Sequence, residues 1–515
     1  MKSAKESGTA LIQRGGRLFS RLAGNRYLST LATGYVQLTV LILVSLAQVP
    51  LVLAYLGKEQ FGIWALAAQA AVWLQLVDGG MNGALARYLI DYRNDSTGLE
   101  LRKCLATGLR VLGVQGLVVF GLAAGVGVVG EAGFGLSAAE AGVFQRLMLL
   151  LGASAAIGFA GKVAQSWLYG SQRLDLANLI GLVLAPGEFA LIWLLLHCEA
   201  GVTSLAWARL GISVAGVTLC WWVSVRWVAF PWRLLAAGWD AVMFRRLAMF
   251  GGGMFLLTMG GLLLTMTQTA MTAKYLGLAA AAVWATAPKV FQLAQQLVCR
   301  LWDYRIPYLS ALMAEERKPL LTREFLVVFG MTAYVGGGIG GVLAAINPLF
   351  LKLWTGGVIE WEPVNDLLMG LLVYAFLLIR CVTDFVLHTK KVGLMPVLMC
   401  GEGLLFVVVA SRLLPVYGLP GMLAAALLFG GLLRLPYAWG AFRKYLGVAA
   451  PPARLLVFKA LSGAGLGAAL WALLKVVSLG VPAIDLRLLL LVQAAVAAGV
   501  LGPIFFRLVL ALRKA

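Results

Sequence analysis

From residue 31 to residue 512 the sequence is a succession of apolar runs separated by short polar breaks rich in arginine and lysine. Each run is about 20 residues long, which as a helix crosses the ~30 Å hydrocarbon core of a bilayer. Barrel strands would instead alternate polar and apolar residues in runs of about 10. In lipid every backbone N–H and C=O must be bonded within the segment, and a helix does this alone. The composition agrees: 61% of the 515 residues are hydrophobic and 12% are charged. The mean hydropathy of +0.90 lies outside the range of a water-soluble protein of this size. The chain therefore reads as an all-α polytopic membrane protein.

The runs divide into fourteen spans. Six, over 31–228, form a first lobe and six more, over 247–440, a second, each intended to wrap a shared central cavity. A basic segment at 1–30 precedes them, an amphipathic linker at 229–246 joins them, and two further spans with a tail occupy 441–515. The formal charge of +20 has a topological explanation that needs no nucleic acid. Arginine and lysine gather in alternate breaks, at Arg102 and Lys103, Arg245 and Arg246, Arg317 and Lys318, and Arg443 and Lys444, while the other breaks hold acids such as Glu59, Glu131, Glu360 and Glu362. The positive-inside rule then places both termini in the cytoplasm.

A second feature organises the spans. The stretch around Tyr55-Leu56-Gly57 recurs at a constant offset of 220 residues: Tyr275-Leu276-Gly277 repeats the triplet, and Trp64, Gln75 and Tyr88 meet Trp284, Gln295 and Tyr308. Leucine and alanine match by chance in such a background; tryptophan, glutamine and tyrosine in one register do not. Internal duplication is how many secondary transporters are built.

Chemistry inside the spans is sparse and so informative. On span 8, Lys289, Gln292, Gln295, Gln296, Arg300 and Asp303 fall within one arc of about 140° on a continuous helix. A charged side chain at mid-bilayer costs about 2.5–3.5 kcal/mol on the most lenient scale, so this face should line water or a substrate path. Span 2 carries a shorter version in Gln75, Asp78 and Asn82. Lys162 on span 4, with Lys289 and Arg300, would meet an anionic head group. Asp78, Glu188 and Asp303 are candidates for ion coupling, Arg380 and Asp384 are spaced to neutralise each other, and Arg110 and Arg434 are close enough to the inner face to snorkel. In span 3, Gly121 and Gly125 should allow close helix approach, and Gly336 to Gly341 in span 9 should be flexible or tightly packed.

Enzyme readings find little support. Gly161-Lys162 is followed by valine with no glycine at Walker A spacing, so the phosphate cradle is missing. The six cysteines have no paired spacing and the two histidines, His197 and His388, stand at opposite span ends. No cofactor, metal site or cleaved signal is expected.

The segment Tyr55-Leu-Gly-Lys-Glu-Gln-Phe-Gly-Ile-Trp-Ala, with Leu76-Val-Asp-Gly-Gly and Arg87-Tyr88, resembles the opening of polysaccharide (Wzx-type) flippases of the multidrug/oligosaccharidyl-lipid/polysaccharide (MOP) superfamily. Gly170-Ser-Gln-Arg-Leu-Asp-Leu-Ala-Asn and Asn347-Pro-Leu-Phe-Leu-Lys-Leu-Trp are similar to that family as well, over 31–439 in all. The resemblance implies two six-helix lobes and movement of undecaprenyl-pyrophosphate-linked oligosaccharide across the bacterial cytoplasmic membrane by alternating access, beside membrane lipids, a polysaccharide polymerase and other envelope-assembly proteins. A cation-coupled drug exporter and a lipid II flippase of the same superfamily are the alternatives. Such exporters commonly place an acid in the first span, and 31–55 has none. Spans 13 and 14 resemble the extension of lipid II flippases, but the first-span arginine of those proteins is missing.

Overall fold

The computed structural model describes residues 26–92, 98–171, 173–198, 201–231, 238–303, 315–389, 393–480 and 489–497, with isolated positions between 305 and 313 and at 499 and 501. Residues 1–25 of the basic segment, 232–237 of the linker and most of span 14 lie outside them.

The chain is all-helical over these residues, and it forms two compact units. The first comprises residues 1–55, 74–132 and 136–255, and the second 56–73, 133–135 and 256–515. Residues 56–73, expected with the first lobe, thus belong to the second unit, and 247–255 to the first.

Helices α1 (Arg26–Leu74), α2 (Met81–Asp91), α3 (Leu99–Val128), α4 (Ala138–Gly170), α5 (Leu174–His197), α6 (Thr203–Val228) and α7 (Ala241–Thr265) run through the first part of the chain. The second part contains α8 (Gln268–Leu276), α9 (Leu278–Thr286), α10 (Lys289–Asp303), α11 (Lys318–Trp354), α12 (Pro363–His388), α13 (Met395–Phe429), α14 (Arg434–Leu446) and α15 (Ala453–Gly480). Ten helices among the described residues are long and apolar enough to cross a membrane. The difference from fourteen has three causes. The runs Thr33–Asp78 and Met395–Ala449, of 46 and 55 residues, each hold two expected spans. Span 8 is cut after Thr286 into two pieces too short to be counted alone. Span 14 is barely described.

What interrupts α1 is Gly57, at φ 71° and ψ 179°, a combination that essentially only glycine adopts. Its repeat partner Gly277 stands at φ 89° and ψ 172°. The triplet found by offset in the sequence is therefore one backbone device used twice.

Lipid is as apolar as leucine, so helices in it associate through close backbone approach and polar contacts more than through burial of apolar area. In the first unit, a Cβ on Gly116 of α3 would meet the Ala156 carbonyl of α4 at 2.9 Å, and one on Gly127 would meet the Gln145 Cα at 3.2 Å. Gly121 and Gly125, expected at this contact, face open space instead. At the start of α7, Asp240 caps the helix: the Met243 N–H donates to its carboxylate at 2.7 Å, which with Lys103 nearby holds the acid below its ordinary range. In the second unit, Gly337 and Gly341 of α11 lie against the Gly463 and Gly467 carbonyls of α15, so the glycine stretch is a packing surface inside one continuous helix. Phe325, Phe385 and Phe442 pair at 4.6–5.4 Å between centroids and lock α11, α12 and α14. Each such ring pair contributes about 0.5–1.5 kcal/mol beyond its contact area.

Candidate functional site

Span 2 does not continue as a regular helix past Leu74. Gln75–Asp78 wind into a single 3-10 turn, and Gly79 (φ 57°) and Gly80 (φ 75°) take left-handed conformations before α2 restarts at Met81. Side-chain room explains the glycines: a Cβ on Gly80 would strike the Gly251 backbone of α7, in the same unit. The face expected for Gln75, Asp78 and Asn82 on an unbroken helix is accordingly split. Gln75 is exposed, while Asp78 and Asn82 turn to α4.

There they form two rungs. Lys162 Nζ lies 3.1 Å from Asp78 Oδ1, and one turn on, Ser166 Oγ donates to Asn82 Oδ1 at 2.7 Å. The Asn82 N–H donates to Asp78 Oδ2 at 3.3 Å, Gln115 Nε2 donates to the Asp78 carbonyl at 3.2 Å, and the Lys162 ammonium sits 3.6 Å above the Phe159 ring. With Asp78 and Lys162 only 17% and 15% exposed, the pair is largely desolvated and each charge depends on the other. A ligand anion would have to displace Asp78 to reach Lys162. Elsewhere in the unit, Glu188 pairs with Arg209 across α5 and α6 at 3.0 Å.

The second unit contains a cavity of about 330 Å³, bounded by α7 to α10 and by α12, α13 and the turn into α14. Its polar lining consists of Thr265, Gln268, Gln292, Gln295, Gln296 and Arg434, set among apolar groups such as Trp284, Met369 and Phe376, with no carboxylate among the described residues of this wall. The three glutamines of α10 thus face one space. The stripe does not stay together beyond them. Lys289 is half-buried and is not part of the lining, and the side chain of Arg300 lies outside the described ones. Asp303 turns away to Arg380 of α12, whose Nη2 approaches it at 2.7 Å while Nε holds Asp384 at 2.8 Å. The pairing of Arg380 with Asp384 read from their spacing is present, with Asp303 as a further partner.

Arg434, set aside in the sequence as a snorkelling residue, is the cation among the described residues of the cavity wall. It is 7% exposed and its Nε lies 3.0 Å from the fully buried Glu402 of α13. The cause is a break in expected span 12. Helix α13 ends at Phe429 and α14 starts at Arg434, and Glu402 Oε1 accepts the freed N–H groups of Leu433 and Arg434 at 2.7 and 2.8 Å. Gly430-Gly431 with Pro436 nearby was the available signal for this break.

No protein-family model matches the sequence, and no curated protein does. Solved structures do. An inward-facing multidrug resistance MATE family transporter of the MOP superfamily superposes with a TM-score of 0.65 at 14% identity, covering 85% of this chain and 98% of that one. The lipid II flippase MurJ, in an inward closed conformation, gives 0.63 at 12% identity over 94% and 98%. A MOP superfamily transporter from Pyrococcus furiosus, described as having a binding pocket of reverse polarity, gives 0.52 at 14% identity over 86% and 96%. At such identities the likeness concerns architecture, and the conclusion it carries is that this multi-pass chain has the fold of the MOP-superfamily secondary transporters.

Proposed function

We propose that this protein is a lipid-linked oligosaccharide flippase of the bacterial cytoplasmic membrane, moving undecaprenyl-pyrophosphate-linked sugar units outward for surface polysaccharide assembly. The observation that carries the reading is the cavity wall of the second unit, where four glutamine amides and Arg434 line the space and Glu402, paired with Arg434, is not part of the lining. Amides both donate to and accept from sugar hydroxyls, and a guanidinium can grip a phosphate with two parallel hydrogen bonds. A cationic drug would find no carboxylate among the described lining residues, since Glu402 is taken up by Arg434. The fold is shared by proteins described as multidrug transporters and as a lipid II flippase, so polarity is the better guide to cargo.

In this reading Gln292, Gln295 and Gln296 contact sugar, Arg434 contacts the diphosphate, and Lys289 and Arg300 assist from α10. Lys162 with Asp78 is a switchable pair, and the duplicated halves 31–228 and 247–440 are the moving parts of alternating access. A polysaccharide polymerase and other assembly proteins would receive the product.

The test is to delete the gene and identify the lipid-linked glycan that accumulates on the cytoplasmic side, then to restore export with variants normalised to membrane abundance. Arg434→Lys keeps the charge without the fork and should impair export, and Arg434→Ala should abolish it. Unaltered glycans with drug hypersensitivity in the deletion would sink the flippase reading in favour of an exporter.

A further inference from the structure

The turn Gly170-Ser-Gln-Arg-Leu-Asp, singled out in the sequence, has no part in the cavity of the second unit. In the first unit it closes a pocket of about 330 Å³ at the C-terminal ends of α2, α4 and α6, with Leu89, Trp167, Arg173, Trp227 and Ala229 in its wall. That volume is typical of small-ligand sites. Tyr169 and Trp227 beside it are half exposed, as aromatic residues at a membrane–water interface are.

The wall is held from behind. Phe230, 4% exposed, packs edge-on against Trp167 and Trp221 at 5.4 and 5.1 Å between centroids. Trp167 Nε1 donates to the Val228 carbonyl at 3.3 Å, which ties the last turn of α4 to that of α6. Ala229 ends α6 in a left-handed conformation, φ 48° and ψ 52°, where glycine or asparagine is usual. A residue with a Cβ keeps that state only where its surroundings impose it.

The charge of the pocket is mixed. Helices α4 and α6 end in it, and the last carbonyls of a helix lack helical donors and carry about half a negative charge. Arg173 commits one edge of its guanidinium to Asp175, with Nε at 3.0 Å and Nη2 at 3.2 Å. Those contacts use two of its five N–H donors. A ligand that fits brings an ammonium group for the helix ends and the indoles, and an anionic oxygen for Arg173. A purely anionic head group would meet two negative helix ends, and a purely cationic one would leave Arg173 unused.

We propose that this pocket binds the head group of a zwitterionic aminophospholipid of the phosphatidylethanolamine type, drawn from the leaflet at that end of the helices. The ammonium donates to the closing carbonyls of α4 and α6 beside Trp167 and Trp227, and the phosphate accepts from Arg173. Occupancy joins two helix ends and so stabilises the first unit. Binding is independent of which substrate is carried.

The experiment follows thermal unfolding of the purified full chain in detergent as phosphatidylethanolamine, phosphatidylcholine or phosphatidylglycerol with the same acyl chains is added. Phosphatidylethanolamine should raise Tm saturably by a few degrees and the other two should not, since choline has no N–H for the carbonyls and glycerol no positive charge. The charge-balanced double variant Arg173→Gln with Asp175→Asn removes the phosphate contact without stranding an acid, and should lose the response. Trp227→Leu, at an exposed position, should weaken it severalfold, which maintains the test if the double variant does not fold. Arg323→Gln, on α11 in the other unit, should keep it. Equal stabilisation by the three lipids would mean solvation by bulk lipid only, and a stronger effect of phosphatidylglycerol would mean an anion site. Either overturns the proposal, as does a full response in either pocket variant. Stabilisation by soluble glycerophosphoethanolamine at equal concentration would make the occupant a free solute and overturn the lipid assignment.

Discussion

The two units neutralise intramembrane charge in ways that look alike and are not equivalent. In the first, a carboxylate from the second span of its repeat, Asp78, meets a cation from the fourth, Lys162. In the second, Asp303 from the second span meets Arg380 from the fourth, which also holds Asp384. Positions 220 residues beyond Asp78 and Lys162 are Val298 and Val382, so the duplication did not transmit the pair. Each unit has a pair of its own, and the cause is local. Span 2 breaks at Gly79-Gly80 and turns Asp78 toward α4, whereas α10 runs unbroken from Lys289 to Asp303 and delivers its acid at its far end. What the repeat did preserve is the glycine reversal at Gly57 and Gly277, a backbone requirement that no neighbouring side chain can supply.

This contrast orders the expected effects of substitution. The largest belongs to Arg380→Ala, which strands two carboxylates. Loss of about 3 kcal/mol is expected, at the low end for buried pairs because these groups keep roughly a quarter of their exposure. Adding Asp384→Asn should recover part of it, read as thermal unfolding in detergent and as membrane abundance. Lys162→Ala strands only Asp78, which keeps the Asn82 N–H, so about 2 kcal/mol is expected. Full rescue by Asp78→Asn would mark the pair as structural, whereas an abundant but inactive double variant would give it a role in transport.

A third comparison tests the repeat directly. An alanine Cβ at Gly57 or at Gly277 would meet nothing within 4 Å, so its cost is backbone strain alone, about 1–3 kcal/mol and the same at both sites. Clearly unequal Tm shifts would break the claim that the two reversals are one device. The smallest stability effect is expected at the exposed cavity amides. Gln292→Ala and Gln296→Ala should change stability by less than about 0.5 kcal/mol. Their glycan export, normalised to abundance, should fall severalfold. Unchanged export would move the sugar contacts away from this wall.

The class of the molecule and the recurrence of the Tyr-Leu-Gly triplet were legible in the sequence, because hydropathy sums locally along a span and a glycine-only backbone state leaves its mark on one residue; that both glycines reverse the backbone alike is a finding of the structure. The three cavity glutamines were legible for the same reason, since α10 is regular and period 3.6 holds along it. Where helices break, that arithmetic fails. It joined Gln75 to Asp78 and Asn82 across a 3-10 turn, and it ran span 12 through the interruption that makes Arg434 part of a wall. It gave no sign of the pocket beside Arg173, whose walls come from α2, α4 and α6. The sequence by itself determined that this chain is an all-helical membrane-spanning protein; only the tertiary structure decided which buried charges pair. Pairing depends on distances between helices far apart in the chain, and those are set where glycine lets two backbones meet, as Gly80 does with Gly251 and Gly337 with Gly463.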